Sequence, residues 1–240
     1  MTATPRSTAR QAGPQGGPPL LAPVLAYGAL MIAAVILSAR APQPSAPAAS
    51  VLAYDRTHHT VLQIAGCLGF AASAPLAIWT AVAYRRLRTL GVTAPGAVIG
   101  LAGGLLAAAS LALSGLITWT SAQTGAVADP GLARALADLG FATGAAGFVV
   151  PLALLLAGVA VPSLILGLLP RPLAWAGLAV AAAGVLSTVT LLTSTVDFTL
   201  PAGRFAGLIW LAAVSVTLPR SRRAVSAATP APARPRAVTP

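Results

Sequence analysis

Lysine and glutamate are both absent from these 240 residues, and the acidic residues number four in all, Asp55, Asp129, Asp138 and Asp197. Charged residues make up 8% of the chain, against about a quarter in a soluble domain that must cover its surface with water-binding groups. A water-soluble globule of this length is therefore excluded. Cysteine is reduced to one, Cys67, which rules out an internal disulfide and a Cys-x-x-Cys redox pair. With no lysine, no phosphate-binding glycine loop of the Gly-Lys-Ser/Thr type can be written. The formal charge of +11 rests on arginine alone. Such a charge ordinarily points to nucleic acid, but here the arginines punctuate apolar runs, so membrane topology accounts for them and no nucleic-acid partner is expected.

What the chain has in quantity is apolar length. A helix needs about 20 apolar residues to cross roughly 30 Å of hydrocarbon. Six stretches meet this need or come near it: Leu20–Ser38, Val61–Ala83, Gly96–Thr118, Leu139–Val161, Leu173–Ser194 and Gly203–Leu218. The expected fold is an all-α, polytopic transmembrane helix bundle of about six spans. Residues 1–19 read as a disordered cytoplasmic tail, 20–219 as the six-helix transmembrane domain, and 220–240 as a disordered Arg/Pro-rich cytoplasmic tail, because neither end carries the apolar content to fold alone. A cleaved signal peptide over Leu20–Ser38 is the competing reading, but its apolar run exceeds the roughly 7–15 residues of such a segment.

Basic flanks resist translocation, so their distribution sets orientation. With the N-terminus inside, eleven arginines (6, 10, 85, 86, 88, 171, 220, 222, 223, 234 and 236) fall on the cytoplasmic side and four (40, 56, 134 and 204) fall outside. Both ends are then cytoplasmic, and every acid and both histidines lie outside. The lysine-free, Arg/Ala/Pro/Gly-rich composition points to a bacterial genome, hence the bacterial cytoplasmic (inner) membrane. The lipid bilayer is the expected partner, with anionic lipid held at Arg220, Arg222 and Arg223. A protein partner is left open.

Small residues let helices approach closely in lipid. Gly100, Gly103, Gly104, Ala107 and Ala108 in the third span, and Gly140, Thr143, Gly144 and Gly147 in the fourth, make these two the expected tightly packed pair. Asp129-Pro130 reads as an N-cap followed by proline at the first helical position. The fourth helix then begins before the membrane, with Arg134 and Asp138 paired one turn apart.

The segment Tyr54-Asp-Arg-Thr-His-His-Thr-Val-Leu-Gln63 carries the densest polar chemistry. If Asp55 caps the second span, Asp55, His59, Gln63 and Cys67 share one face at i, i+4 spacing, with Gly66 and Phe70 continuing it into the bundle. His58 sits one position round. The plainer reading is a capped helix start with histidines at headgroup level. In the fifth span Ser187, Thr190, Ser194 and Asp197 form a second stripe, although intramembrane hydroxyls often bond only their own backbone. Together these residues outline a candidate polar pocket in the outer half, with Arg204, Arg134 and Asp138 around its rim. Adjacent histidines cannot clamp a haem iron from both sides, and the set falls short of the roughly four ligands of a structural zinc site. No cofactor, metal site or catalytic residue is assigned, and a Ser114–histidine dyad has only common helix vocabulary behind it.

The segments Leu169-Pro-Arg-Pro-Leu-Ala-Trp-Ala-Gly177, Leu200-Pro-Ala-Gly-Arg-Phe-Ala-Gly-Leu-Ile-Trp210 and Leu218-Pro-Arg220 resemble six-helix bacterial membrane proteins grouped as domains of unknown function. The likeness spans residues 51 to 223. It implies an inner-membrane six-helix protein and no particular activity. The leading expectation is a non-enzymatic sensor or accessory subunit with an outward-opening polar cavity. The alternatives are a membrane enzyme or metal-dependent activity using Asp55 with His58 and His59, and a transporter of a small neutral solute.

Overall fold

The computed structural model describes residues 19–42, 46–124, 129–191 and 199–220. Every regular element among them is helical: α1 (Leu21–Ser38), α2 (Ala48–Thr57), α3 (His59–Thr89), α4 (Gly96–Thr124), α5 (Pro130–Gly144), α6 (Ala146–Ile165), α7 (Arg171–Leu186) with a 3-10 turn over Ser187–Leu191, and α8 (Thr199–Thr217). Five stretches are long and apolar enough to cross a membrane: Leu21–Ser38, His59–Thr89, Gly96–Gln123, Pro130–Ile165 and Arg171–Val189. A shorter apolar helix, Gly203–Thr217, follows them. Large apolar side chains such as Leu25, Ile36, Ile78, Ile165, Ile209 and Val216 stand exposed around the bundle. This is the profile of a helical membrane protein.

Local sequence explains where the helices stop. Gly91 and Gly167 adopt positive φ, 92° and 64°, a conformation that glycine alone takes without a Cβ clash. Beyond each, an N–H reaches back over the helix end, Val92 to the carbonyl of Leu87 at 3.0 Å and Leu168 to that of Ser163 at 2.9 Å. This is the Schellman closure, which satisfies carbonyls otherwise stranded at a C-terminus. Prolines then start the next helices, with Pro95 preceding α4 and Pro170 at the N-cap of α7. At α5 the Asp129 side chain accepts from Gly131 N–H at 2.8 Å with Pro130 in the first position. The Arg134–Asp138 pair forms at 2.8 Å. Both features match the expectation from sequence.

The packing runs through small residues. α4 lies against α3 on one side and α6 on another. A Cβ added at Gly66 would come within 2.7 Å of the Gly115 carbonyl, and one at Gly103 within 2.7 Å of Leu155 N. Gly100 meets Gly158 of α6, backbone on backbone, while Gly104 faces the Thr80 side chain of α3. The Gly100-x-x-x-Gly104 step thus serves two neighbours rather than one. The fourth-span glycines also turn to α4, Gly140 towards Ile117 and Gly144 towards Ser114. Beneath them sits a continuous core that includes Tyr27, Leu76, Trp79, Phe148, Leu152, Leu155 and Leu211. Two indoles tie α8 in place: Trp79 Nε1 donates to Ser215 Oγ at 2.8 Å, and Trp210 Nε1 donates to the Leu173 carbonyl at 2.8 Å.

The short helix α2 is the element the apolar-span reading does not contain. It packs on α5 at the end of the bundle, where Val51, Leu52 and Ala133 form a separate small core. Arg134 bridges the same contact by donating to the Ala46 carbonyl.

Candidate functional site

The helix that begins at Pro130 breaks at Ala145, whose backbone sits at φ −91° and ψ −101°. In an uninterrupted helix the N–H of Phe148 would bond the carbonyl of Gly144. Here it bonds that of Ala145 instead, at 3.1 Å. The Gly144 carbonyl is thereby released, and the Arg204 guanidinium of α8 donates to it. The same guanidinium lies over the Phe148 ring, 5.3 Å from its centroid, within cation–π range. One turn earlier in α5, the carbonyl of Gly140 accepts from Ser114 Oγ of α4 at 2.9 Å. Gly144 has to be glycine because Ser114 occupies the space of a side chain.

Above this junction is a cavity of about 660 Å³. Val35 and Ser38 of α1 form one wall; Ser114, Thr118 and Ser121 of α4 another; Leu136, Gly140, Phe141 and Gly144 of α5 a third. Leu200, Arg204 and Phe205 close it from α8, and Val51, Tyr54 and Asp55 of α2 cover it. A smaller cavity of about 120 Å³ reaches further in, bounded by Met31, Ala65, Gly69 and Leu111, and shares Val35, Ser38, Ser114, Thr118 and Arg204 with the larger one. Thirteen residues of helix separate Arg204 from Thr217, about 20 Å at helical rise. Five residues separate it from the start of α8 at Thr199, so Arg204 sits towards the outer end of that helix, where its guanidinium turns into the cavity wall. Arg134 pairs with Asp138, and no carboxylate among the described residues meets Arg204.

The hydroxyls of α4 are already engaged. Ser114 donates to Gly140, Thr118 to the Ser114 carbonyl at 2.9 Å, and Ser121 to the Ile117 carbonyl at 3.1 Å. Each has spent its one proton and offers the cavity only lone pairs. Asp55 is 5% exposed, and its Oδ2 finds no hydrogen-bond partner among the described residues. Burial pushes its carboxyl up from 3.8 to about 6.

Of the residues singled out from sequence, Asp55 and Arg204 line the cavity together. Ser114, half of the serine–histidine dyad considered from sequence, lines it too, whereas His58, His59, Gln63 and Ser187 do not. Asp55 does not cap α3, because the chain breaks at His58 (φ −116°, ψ 24°) and Asp55 belongs to α2. The expected i, i+4 line therefore stops before it starts. His59, Cys67 and Phe70 are exposed, with Gln63 between them, and the inward face of α3 is Leu62, Ala65, Gly66, Gly69 and Ala72 instead. The His58 ring stacks on Tyr54 at 4.3 Å and 18°. Its Nδ1 lies 3.3 Å from the Tyr54 carbonyl, which assigns the proton to Nδ1 in the neutral ring because a carbonyl only accepts. His59 Nδ1 faces the Arg56 carbonyl at 3.3 Å. No group of three His, Cys, Asp or Glu side chains gathers to hold a metal among the described residues.

In the fifth span Ser187 is fully buried and donates to the Gly184 carbonyl at 2.6 Å, away from the cavity lining. The Thr190 side chain, Ser194 and Asp197 lie outside the described residues. The walls that sequence reasoning missed come from α1, α4 and α5. Their signal was the run of hydroxyls Ser114, Thr118 and Ser121 at helical spacing. Comparison with protein-family models, with characterised proteins and with solved structures finds no match to this chain.

Proposed function

We propose that this protein is a six-span component of the bacterial cytoplasmic membrane, with both ends inside, that binds a small molecule in its outer half as a sensor or accessory subunit. The observation that carries this reading is the cavity of about 660 Å³ beneath α2, with a guanidinium in its wall that no carboxylate among the described residues neutralises. Its volume falls within the roughly 300–1,000 Å³ of small-molecule sites. An arginine near the outer end of an apolar helix, turned into a cavity and bonded to a neighbouring helix's carbonyl, is placed to meet a ligand.

Two further features support the topology. The sixth helix, α8, has 19 residues, about 28 Å at helical rise and close to the hydrocarbon thickness. Arg220, after the end of α8, is near enough to Arg86 of α3 for their charges to interact, so these two arginines share one end of the bundle. The positive-inside rule makes that end cytoplasmic. Arg220, together with Arg222 and Arg223, which lie outside the described residues, then rests against anionic lipid at about 1 kcal/mol each. Below the cavity, buried Leu76, Trp79, Leu155, Leu156 and Leu211 fill the bundle, which favours a closed binding site over a path for a neutral solute. A metal-dependent reading has less support, since the two histidine rings engage separate carbonyls.

Thiol accessibility tests this in a Cys67→Ala background. Ser38→Cys and Thr118→Cys should react with a membrane-impermeant maleimide on intact cells, and Arg88→Cys only after permeabilisation. The reverse pattern at Ser38 and Arg88 would overturn the orientation. Failure of Thr118→Cys to react from either side would overturn the open cavity.

A further inference from the structure

We infer that the occupant of the cavity is an amphipathic molecule with a single anionic group, a carboxylate or phosphate monoester on an apolar body, whose charge is held by Arg204. This deepens the binding reading above and rests on it. The argument is one of hydrogen-bond supply. An anion needs donors, and the α4 wall has none to spare: Ser114, Thr118 and Ser121 have committed their protons to backbone carbonyls, which leaves the neutral hydroxyls of Ser38 and Tyr54 beside the guanidinium. A guanidinium carries five N–H groups in a fixed fork. Arg204 spends one contact on the Gly144 carbonyl, and it borders both the large cavity and its inner extension. A planar fork of this kind matches a carboxylate or phosphate better than it matches any neutral acceptor.

The remaining lining dictates the rest of the molecule. Leu136, Phe141, Val149, Leu200 and Phe205 offer apolar surface, which an extended chain or ring system covers favourably. Asp55 enters from α2 with an Oδ2 that has no partner among the described residues. A second anionic group at the far end of the ligand would meet this carboxyl and be repelled. One anionic group is accepted and a second at the far end is not.

The chemistry has two natural sources, a free amphipathic acid from the outer aqueous phase or an anionic lipid from the bilayer, and binding experiments separate them. The full chain in phosphatidylcholine nanodiscs is titrated with dodecanoate, dodecanol and dodecanedioate above pH 7, with empty nanodiscs as the partition background. The expected result is dodecanoate binding at least about tenfold tighter than dodecanol, as a charge-assisted contact warrants, and tighter than dodecanedioate. Arg204→Gln should bring dodecanoate down to the level of dodecanol. Val35→Trp, which fills the cavity from α1 and keeps the arginine, should abolish binding of both. If dodecanol binds as well as dodecanoate and Val35→Trp abolishes both, the anion inference fails while the binding site stands. If Val35→Trp leaves dodecanoate binding unchanged, the cavity is not the site and both fail. The wild-type comparison decides the charge preference even if Arg204→Gln does not fold. Phosphatidate in the nanodisc that suppresses dodecanoate binding assigns the bilayer as source; unchanged binding assigns the aqueous phase.

Discussion

Gly100 of α4 and Gly158 of α6 lie backbone against backbone, so close that a methyl group on Gly158 would occupy the space of Gly100 itself and come within 2.6 Å of the Gly96 carbonyl. In lipid, where apolar side chains gain little by leaving their solvent, such contact is what holds two helices together.

Gly158→Ala should therefore separate α4 from α6 and destabilise the protein by about 2–4 kcal/mol, the range of severe core misfits. Gly140→Ala provides the contrast. Its added carbon would meet Ile117 Cγ2 at 3.4 Å, an ordinary contact, and the cost should stay below about 1 kcal/mol. Thermal unfolding of both variants in the same detergent checks the difference. Equal losses would mean that the α4–α6 seam is not what limits stability.

Trp79 Nε1 donates to Ser215 Oγ deep in the bundle, and Ser215 passes its own proton to the Leu211 carbonyl at 2.7 Å. Trp79→Phe keeps a ring in the site but removes the donor and leaves a gap. The expected loss is about 1–2 kcal/mol. Trp175 is 61% exposed, and Trp175→Phe should leave unfolding within about 0.5 kcal/mol of the parent. Denaturant titration of the two variants reads this directly.

Asp55 gives stability a pH dependence of definite sign. Burial raises the folded-state value from 3.8 to about 6, so the native state binds a proton more tightly than the unfolded chain does. The contribution is fully favourable below about pH 4, falls as pH rises through 6, and stays low above it. The gap corresponds to about 3 kcal/mol, reduced to roughly 1–2 kcal/mol by solvent screening in the cavity. Asp55→Asn should flatten the profile between pH 4 and 7 and be the more stable protein at pH 8. A parent and variant whose melting temperatures run parallel across that window would refute the assignment.

Arg134 joins α5 to the segment before α2 through the Ala46 carbonyl while also holding Asp138. Arg134→Ala should loosen the cover helix at a global cost of about 1 kcal/mol. Hydrogen exchange is the measurement: amides of α2 should exchange faster by several-fold, and those of α4 and α6 should not change. Unaltered exchange in α2 would show that its small apolar core with Ala133 holds it unaided.

The apolar helices were legible because crossing a bilayer imposes a length that few other constraints do, and their observed bounds fall close to the apolar runs. The Asp129 cap and the Arg134–Asp138 pair were legible because both depend on spacings of a few residues. The inward face of α3 was not. In water a polar stripe and an apolar stripe mark the two sides of a helix, but in lipid the outer side is apolar as well. Gly66, Gly69 and Ala72 were the better guides, since small residues mark the packed side. The line from Asp55 through His59 to Gln63 failed for a separate reason: it assumed one helix where the chain breaks at His58, and a break resets the register of everything after it. Arg204 was read as a border residue because arginine marks membrane borders by rule, and it does sit towards the end of α8. What could not be read was its partner, because the Gly144 carbonyl is released by the Ala145 break in another helix.

That break also divides the molecule mechanically. Towards the basic end the bundle is closed by the Gly100–Gly158 seam and by the interlocked rings of Trp79, Trp210 and Phe148 with their neighbours. Beyond Ala145 the α5 segment packs on α4 through Gly140, Gly144 and Ser114, Arg204 ties its end to α8, and α2 rests on it rather than on the main core. With only a small apolar core beneath it, α2 is the element whose local opening should have the lowest free energy. Whatever enters the cavity passes under the part of the structure that yields at the lowest cost.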